Sequence, residues 1–291
     1  MQYTANNRTI VKYLVTLVVF LVTTSGTLEA SEMKFADLPG VRLAYFDTGG
    51  MGEPVILVHA LAGTSESWAP QIKSFADAGY RVIAYDRRGW GKSVPMPATG
   101  AQPGISDVDL DGLVTRIGLD KFHLVAIAGG SFVAMDYASL HQDKLASLTL
   151  AASTGMITDD KIKDFSKRIR NPDVKWPSVY LEIGLSYMGS NPEGVAKWMK
   201  IHKHARQKGA SYQPRNSPNT LAKLETIRVP TLVVAGGADQ LSPPALMKRW
   251  AAHIKNHEYA IVPEAGHSIN WEYPEEFDNI VLPFLKAHSI D

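Results

Sequence analysis

Residues 122–150 read FHLVAIAGGSFVAMDYASLHQDKLASLTL, and this stretch decides the fold. HLVAIA (123–128) is a short apolar run that stops at Gly129 and Gly130. Four to eight apolar residues bounded by turn signals read as a strand buried on both faces. Residues 131–141 follow with a helical pattern, and LASLTLAA (145–152) is a second buried run. A strand, a sharp turn, a helix and another strand predict parallel pairing through a right-handed crossover.

The same alternation extends outward. Apolar runs recur at 41–46, 54–60, 81–86, 230–236 and 257–263, with helical patterns at 67–78, 105–117, 244–252 and 274–286. This predicts an α/β fold with a mostly parallel, doubly wound sheet. Chemistry in such sheets collects at the carboxyl ends of the strands. Residues 155–225 break the pattern: they hold helical segments such as GVAKWMKIHKHARQ and no strand run. They are read as a helical cap inserted into a core made of 31–154 and 226–291. Trp176 and Tyr187 in the cap are candidates for lining an apolar pocket; their alternative role is to pack the cap onto the body.

Composition narrows the function. The chain has 291 residues, 45% hydrophobic and 20% charged, which is ordinary globular usage. It contains no cysteine, which excludes disulfides, a thiol nucleophile and zinc–thiolate or iron–sulfur sites. The net charge is +1, without a basic block, so no nucleic-acid partner is expected. No phosphate loop or dinucleotide fingerprint is present, so no cofactor is expected. His202 and His204 lie two apart and face different sides of a helix, so no metal site is expected either. The expected partner is a small-molecule substrate.

Residues 1–30 stand apart. Arg8 and Lys12 precede the apolar run YLVTLVVFLV (13–22), and a small, polar stretch ends at Ala30. That pattern reads as a cleaved secretory signal, giving a periplasmic or secreted protein without stable membrane insertion. The alternative is a membrane anchor, but the uncharged stretch 13–28 falls short of the roughly 20 apolar residues that a spanning helix needs.

The strand ends carry the chemistry. Residues 59–63 are HALAG, 86–93 are DRRGWGKS, 236–244 are GGADQLSPP and 263–277 are PEAGHSINWEYPEEF. An acid after one strand and a histidine after the next have the order of a hydrolase triad, whose nucleophile would end HLVAI. With residues 122–150, these motifs resemble the α/β-hydrolase superfamily from about residue 41 to residue 284. The resemblance implies His267 and Asp239 as a catalytic pair and the backbone amides of Leu61 and Gly129 as an oxyanion hole. Trp90 and Trp271 flank the expected substrate mouth and are candidates for pocket-wall aromatics, and His59 is a further substrate-binding candidate. Arg87 and Arg88 are expected to make structural contacts, with carboxylate binding as their other role.

One position departs from the pattern. The family's elbow is Gly-x-nucleophile-x-Gly, and here it reads Ala126-Ile127-Ala128-Gly129-Gly130. Ala128 occupies the nucleophile position, and a methyl group cannot attack a carbonyl. A shifted register would make Ser131 the nucleophile, but would place Val133 where the family needs a small residue. Three explanations fit Ala128. The His–Asp pair works without a covalent intermediate, as general base on a small apolar carbonyl or ester compound. Alternatively, the fold serves as a non-catalytic binding or sensing protein. In the third, a serine hydrolase has been inactivated by a Ser-to-Ala substitution.

Overall fold

The computed structural model describes residues 32–169, 173 and 175–290; the expected signal segment, 1–30, lies outside them. The strands are β1 (Lys34–Leu38), β2 (Val41–Asp47), β3 (Pro54–Val58), β4 (Arg81–Tyr85), β5 (Val94–Pro95), β6 (Phe122–Ile127), β7 (Leu145–Ala151), β8 (Thr231–Gly236) and β9 (His257–Val262). They form one sheet in the order β1-β2-β4-β3-β6-β7-β8-β9, with β5 beside β2. From β4 to β9 every pairing is parallel. β2 is antiparallel to β1, β4 and β5.

The helices are α1 (Ala69–Asp77), α2 (Ser106–Arg116), α3 (Gly129–Leu140), α4 (Asp160–Ile169), α5 (Ser178–Glu182), α6 (Leu185–Ser190), α7 (Pro192–Ala205), α8 (Leu221–Glu225), α9 (Pro244–Ala251), α10 (Ile269–Glu272) and α11 (Pro274–Ala287). The period-2 alternation of the central strands divides their side chains between two cores. Ile56, Val58, Leu124 and Ala126 face Leu110, Leu113, Met135, Leu246 and Trp250 of α2, α3 and α9. Val55, Leu57, Val125 and Ile127 face Phe75, Phe277, Val281 and Phe284 of α1 and α11. Strands covered on both faces need apolar side chains throughout, and all six residues of β6 are buried. Each fully buried Leu, Ile, Val or Phe contributes about 1.5–3 kcal/mol.

β1 and β5 do not stand out in the sequence as strands. β1 is an edge strand, KFADL, with only Ala36 buried, and β5 is two exposed residues, one of them proline. Strands held by one neighbour carry no continuous apolar run to betray them.

Residues 155–225 contain α4 to α8 and none of the sheet strands. Ile183, Tyr187 and Trp198 pack on Ala62, with Trp271 and Tyr273 against them. Farther along, the side chain of Gln207 donates to the carbonyl oxygens of Gly91 (3.0 Å) and Ser93 (2.6 Å). The helical segment is thereby fastened at two places to loops that leave the carboxyl ends of β3, β4 and β9.

Candidate active site

The sharp turn between β6 and α3 is built around Ala128, which has φ 50° and ψ −115°. A side chain held at positive φ costs about 1–3 kcal/mol and persists only where its surroundings enforce it. The Ala128 amide donates to Ala151 O at 2.9 Å, and its carbonyl accepts from the Ser153 hydroxyl at 2.9 Å. At Gly130 an added Cβ would lie 2.3 Å from Val58 O, so only glycine lets α3 approach β3 this closely. Ala128 therefore stands at the tip of the elbow, buried from bulk solvent, and it lines a 230 Å³ cavity together with His267. Ser131 does not reach that cavity. It is fully buried, and its hydroxyl faces Ala126 O (3.2 Å) and Ala151 O (3.4 Å) within the sheet.

Asp239 follows β8 and His267 follows β9. One Asp239 carboxylate oxygen, Oδ1, accepts from the amides of Leu241 (2.7 Å) and Ser242 (2.9 Å). The other, Oδ2, accepts from the Ser242 hydroxyl at 2.7 Å and from His267 Nδ1 at 2.9 Å. The turn-capping role and the histidine contact thus use different oxygens of one side chain. The carboxylate assigns the ring proton to Nδ1, and Nε2 has no hydrogen-bond partner among the described residues. Burial works to lower the His267 pKa, but Asp239, and then Glu182 and Glu272, outweigh it and carry it up to about 9. Burial likewise works to raise the Asp239 pKa, but His267 and the hydrogen-bond donors hold it below its ordinary value.

The amides of Leu61 and Gly129 donate to no acceptor among the described residues, and both residues line the cavity beside Ala128. The Leu61 side chain rests on Gly129, where a Cβ would meet Leu61 Cγ at 2.4 Å. Trp90 Nε1 donates to Leu61 O at 2.8 Å and so fixes the turn that aims the Leu61 amide.

Glu182 is a residue that sequence reasoning missed. It ends α5, lines the cavity with His267, and its Oε2 is buried without a hydrogen-bond partner. Burial raises its pKa, and the charge of His267 works against that rise. The signal was a lone carboxylate inside the apolar run VYLEIGL (179–185). Glu272 was missed too. It accepts from the amides of Gly184 (2.8 Å), Gly266 (2.9 Å) and Ser268 (3.1 Å), and burial pushes its pKa up to about 7 against those donors.

His59 and Trp271, expected at the substrate mouth, and Trp176 and Tyr187, expected to line an apolar pocket, lie elsewhere. His59 is fully buried: its Nε2 accepts from the Arg87 amide at 3.0 Å and its Nδ1 donates to Ala60 O at 2.7 Å. That double engagement makes it a brace between the β3 and β4 loops. Trp271 donates to Gly194 O at 3.1 Å and packs with Tyr187 in the cluster that joins the helical segment to the loops after β3 and β9. Tyr187 is buried there, with its hydroxyl accepting from Asn191 at 3.1 Å. Trp176 is 59% exposed and lines a separate outer cleft with Tyr180, Leu185 and Glu264. Trp90 does line a cavity, the 460 Å³ one that shares Leu61, Gly129 and Phe132 with the space at Ala128. Arg88 is structural: it clamps Asp109 at 2.9 and 2.6 Å.

The sheet order, the elbow and the acid and histidine after β8 and β9 define a hydrolase-type α/β protein. The profile of the Alpha/beta hydrolase family matches residues 55–280, and the chain belongs to that family. It is 27% identical to a 2-hydroxy-6-oxononadienedioate/2-hydroxy-6-oxononatrienedioate hydrolase of Paraburkholderia phymatum, over 84% of this chain and 91% of that protein. A thermophilic esterase from Thermogutta terrifontis superposes with a TM-score of 0.74 at 26% identity, covering 88% of this chain and all (100%) of the esterase. The enol-lactonase from Burkholderia xenovorans shares the fold, with a TM-score of 0.69 at 20% identity over 87% of this chain and 100% of the lactonase.

Proposed function

We propose that this protein carries out proton-transfer chemistry on a small carbonyl or ester compound, without a covalent acyl-enzyme. The observation that carries the reading is the His267–Asp239 hydrogen bond of 2.9 Å in a cavity whose wall, at the nucleophile position, is the Ala128 methyl. Relatives named as hydrolases support the reaction class.

In this reading His267 Nε2 removes a proton from a water molecule, or from an acidic C–H of the substrate. With water, the oxygen bonds to the carbonyl carbon and the carbonyl oxygen becomes an oxyanion. The Leu61 and Gly129 amides receive that charge; such donors are worth about 2.7–4 kcal/mol each. The intermediate collapses, and the leaving oxygen takes the proton back from the imidazolium. Asp239 holds the ring tautomer and stabilises the imidazolium. Only neutral His267 is a base, and a pKa of about 9 makes that form scarce at pH 7.

The test is a screen of esters, lactones and β-dicarbonyls against the native protein and His267→Ala. Turnover that vanishes in His267→Ala supports the reading, and turnover that survives sinks it. A second reading, a binding or sensing protein on this fold, is favoured by the Ala128 methyl itself; saturable binding with no turnover of any compound would select it. Export of the chain belongs to the proposal and rests on residues 1–30. Intact mass of the exported protein should begin at Ser31, and retention of Met1 in washed membranes overturns it.

A further inference from the structure

The 460 Å³ cavity beside the Ala128 space is mostly apolar, but Arg87 and Arg215 both line it. Arg87 is buried, and its side chain forms no ion pair among the described residues. Its Nη1 faces Gly129 O at 3.4 Å, and its Nε and Nη2 have no hydrogen-bond partner. The guanidinium lies over the Trp90 ring at 4.6 Å. Arg215 adds a third buried nitrogen, its Nε, that has no partner among the described residues.

Three carboxylates adjacent to the cavity's lining residues are engaged with other donors, and one of them, Asp136, also acts electrostatically on Arg215. Asp86 accepts from the amides of Ser65 (2.8 Å) and Lys92 (2.7 Å). Asp109 is held by Arg88, and Asp136 by Lys223 and the Asn216 amide. A buried guanidinium without a counterion is costly, and a carboxylate satisfies its planar fork better than any other common group. Burial lowers the Arg87 pKa to about 10, so it is still cationic at neutral pH.

We propose that Arg87, with Arg215, forms an anion subsite that receives a carboxylate carried by the same small molecule whose carbonyl lies at Ala128. This rests on the reading of the Ala128–His267 cavity as the reaction site. The two cavities share Leu61, Gly129 and Phe132, and Arg87 touches the carbonyl of the residue whose amide faces the reacting carbonyl. The charges are arranged to orient such a molecule. At the His267 end the imidazolium is already paired with Asp239 and faced by Glu182, whereas the Arg87 fork at the other end has no counterion. The substrate class becomes a keto acid or an ester of a short dicarboxylic acid, instead of a purely apolar compound.

The experiment is a ligand-observed NMR titration with two unreactive probes, 4-oxopentanoate and its uncharged counterpart 4-oxopentanamide. Native protein should bind the carboxylate at least about tenfold more tightly than the amide. Arg87→Met should abolish that preference, and Arg87→Lys should restore part of it. Equal affinity of the two probes for native protein, or no saturable binding of 4-oxopentanoate, overturns the proposal without reference to any variant. So does a preference that survives in a folded Arg87→Met protein. The titration does not depend on turnover. Carboxylate binding without catalysis would leave the subsite standing and remove the proposed function, and His267-dependent turnover without carboxylate preference would do the reverse.

Discussion

The backbone amide of Ser268 donates to the carbonyl oxygen of Glu182 at 3.0 Å. This bond ties the end of α5 in the helical segment to the loop that carries His267. It also brings a second buried carboxylate, besides Asp239, into the same cavity as the imidazole. Glu182 adds to the forces that raise the His267 pKa. Glu182→Gln keeps the shape and removes the charge, so the His267 pKa should fall. If neutral His267 is the active form, kcat/KM at pH 7 should rise by roughly 2–5-fold. The imidazole titration followed by NMR gives the check, and an unchanged His267 pKa would refute the coupling.

The Ala128 elbow makes a second prediction. Fluorophosphonate probes need an activated hydroxyl, and the native cavity offers a methyl group in that position. Native protein should stay unlabelled under conditions that label Ala128→Ser, read by intact mass. Labelling of native protein at Ser131 would contradict the buried position of that hydroxyl.

Much of this site is legible in the sequence because it sits at the ends of buried strands. β6 and β8 are continuous apolar runs, so the residues just past them, Ala128 and Asp239, can be placed before any coordinates exist. His267 is placed likewise by the turn after β9. The mouth is different. His59 and Trp271 lie in matching loops, yet His59 turns inward to hold the Arg87 amide, and Trp271 turns towards α7. Backbone position does not determine side-chain direction in loops. Glu182 was hidden for a related reason: it is brought to His267 by the packing of α5 on the loop after β9, a contact across more than eighty residues of chain.

Trp90 is a buried aromatic that supports the turn of Leu61, whose amide the proposed mechanism uses as an oxyanion donor. Its Nε1–H is the donor that holds Leu61 O, at 2.8 Å. Trp90→Phe keeps most of the ring packing and deletes this bond. A hydrogen bond of this kind is worth about 1 kcal/mol, so kcat should fall roughly 5–10-fold if the Leu61 amide acts in the transition state. Steady-state kinetics on the best compound of the screen measure it, and an unaltered kcat would leave Trp90 a purely packing residue.

The strongest test of the dyad is its pH dependence. In the proposed mechanism the active form of His267 is neutral, and its pKa lies at about 9. The kcat/KM of native protein should therefore climb about tenfold per pH unit below 9 and level off above it. The folded pKa is raised from 6.5, so the same ion pair adds stability below pH 6.5 and loses it as pH rises through about 9. Thermal melting should decline across that window, with no substrate required. Asp239→Asn removes the largest of the charges that raise the pKa, so the rising limb should move to lower pH. The plateau should also drop by about 10²–10⁴-fold, because the amide favours the wrong tautomer and the imidazolium loses its counterion. The deficit of the variant should then be largest at pH 9 and smaller at pH 6, where native His267 is almost wholly protonated. A native profile that is flat from pH 6 to 9, or a limb that Asp239→Asn leaves in place, would remove His267 from the role of base.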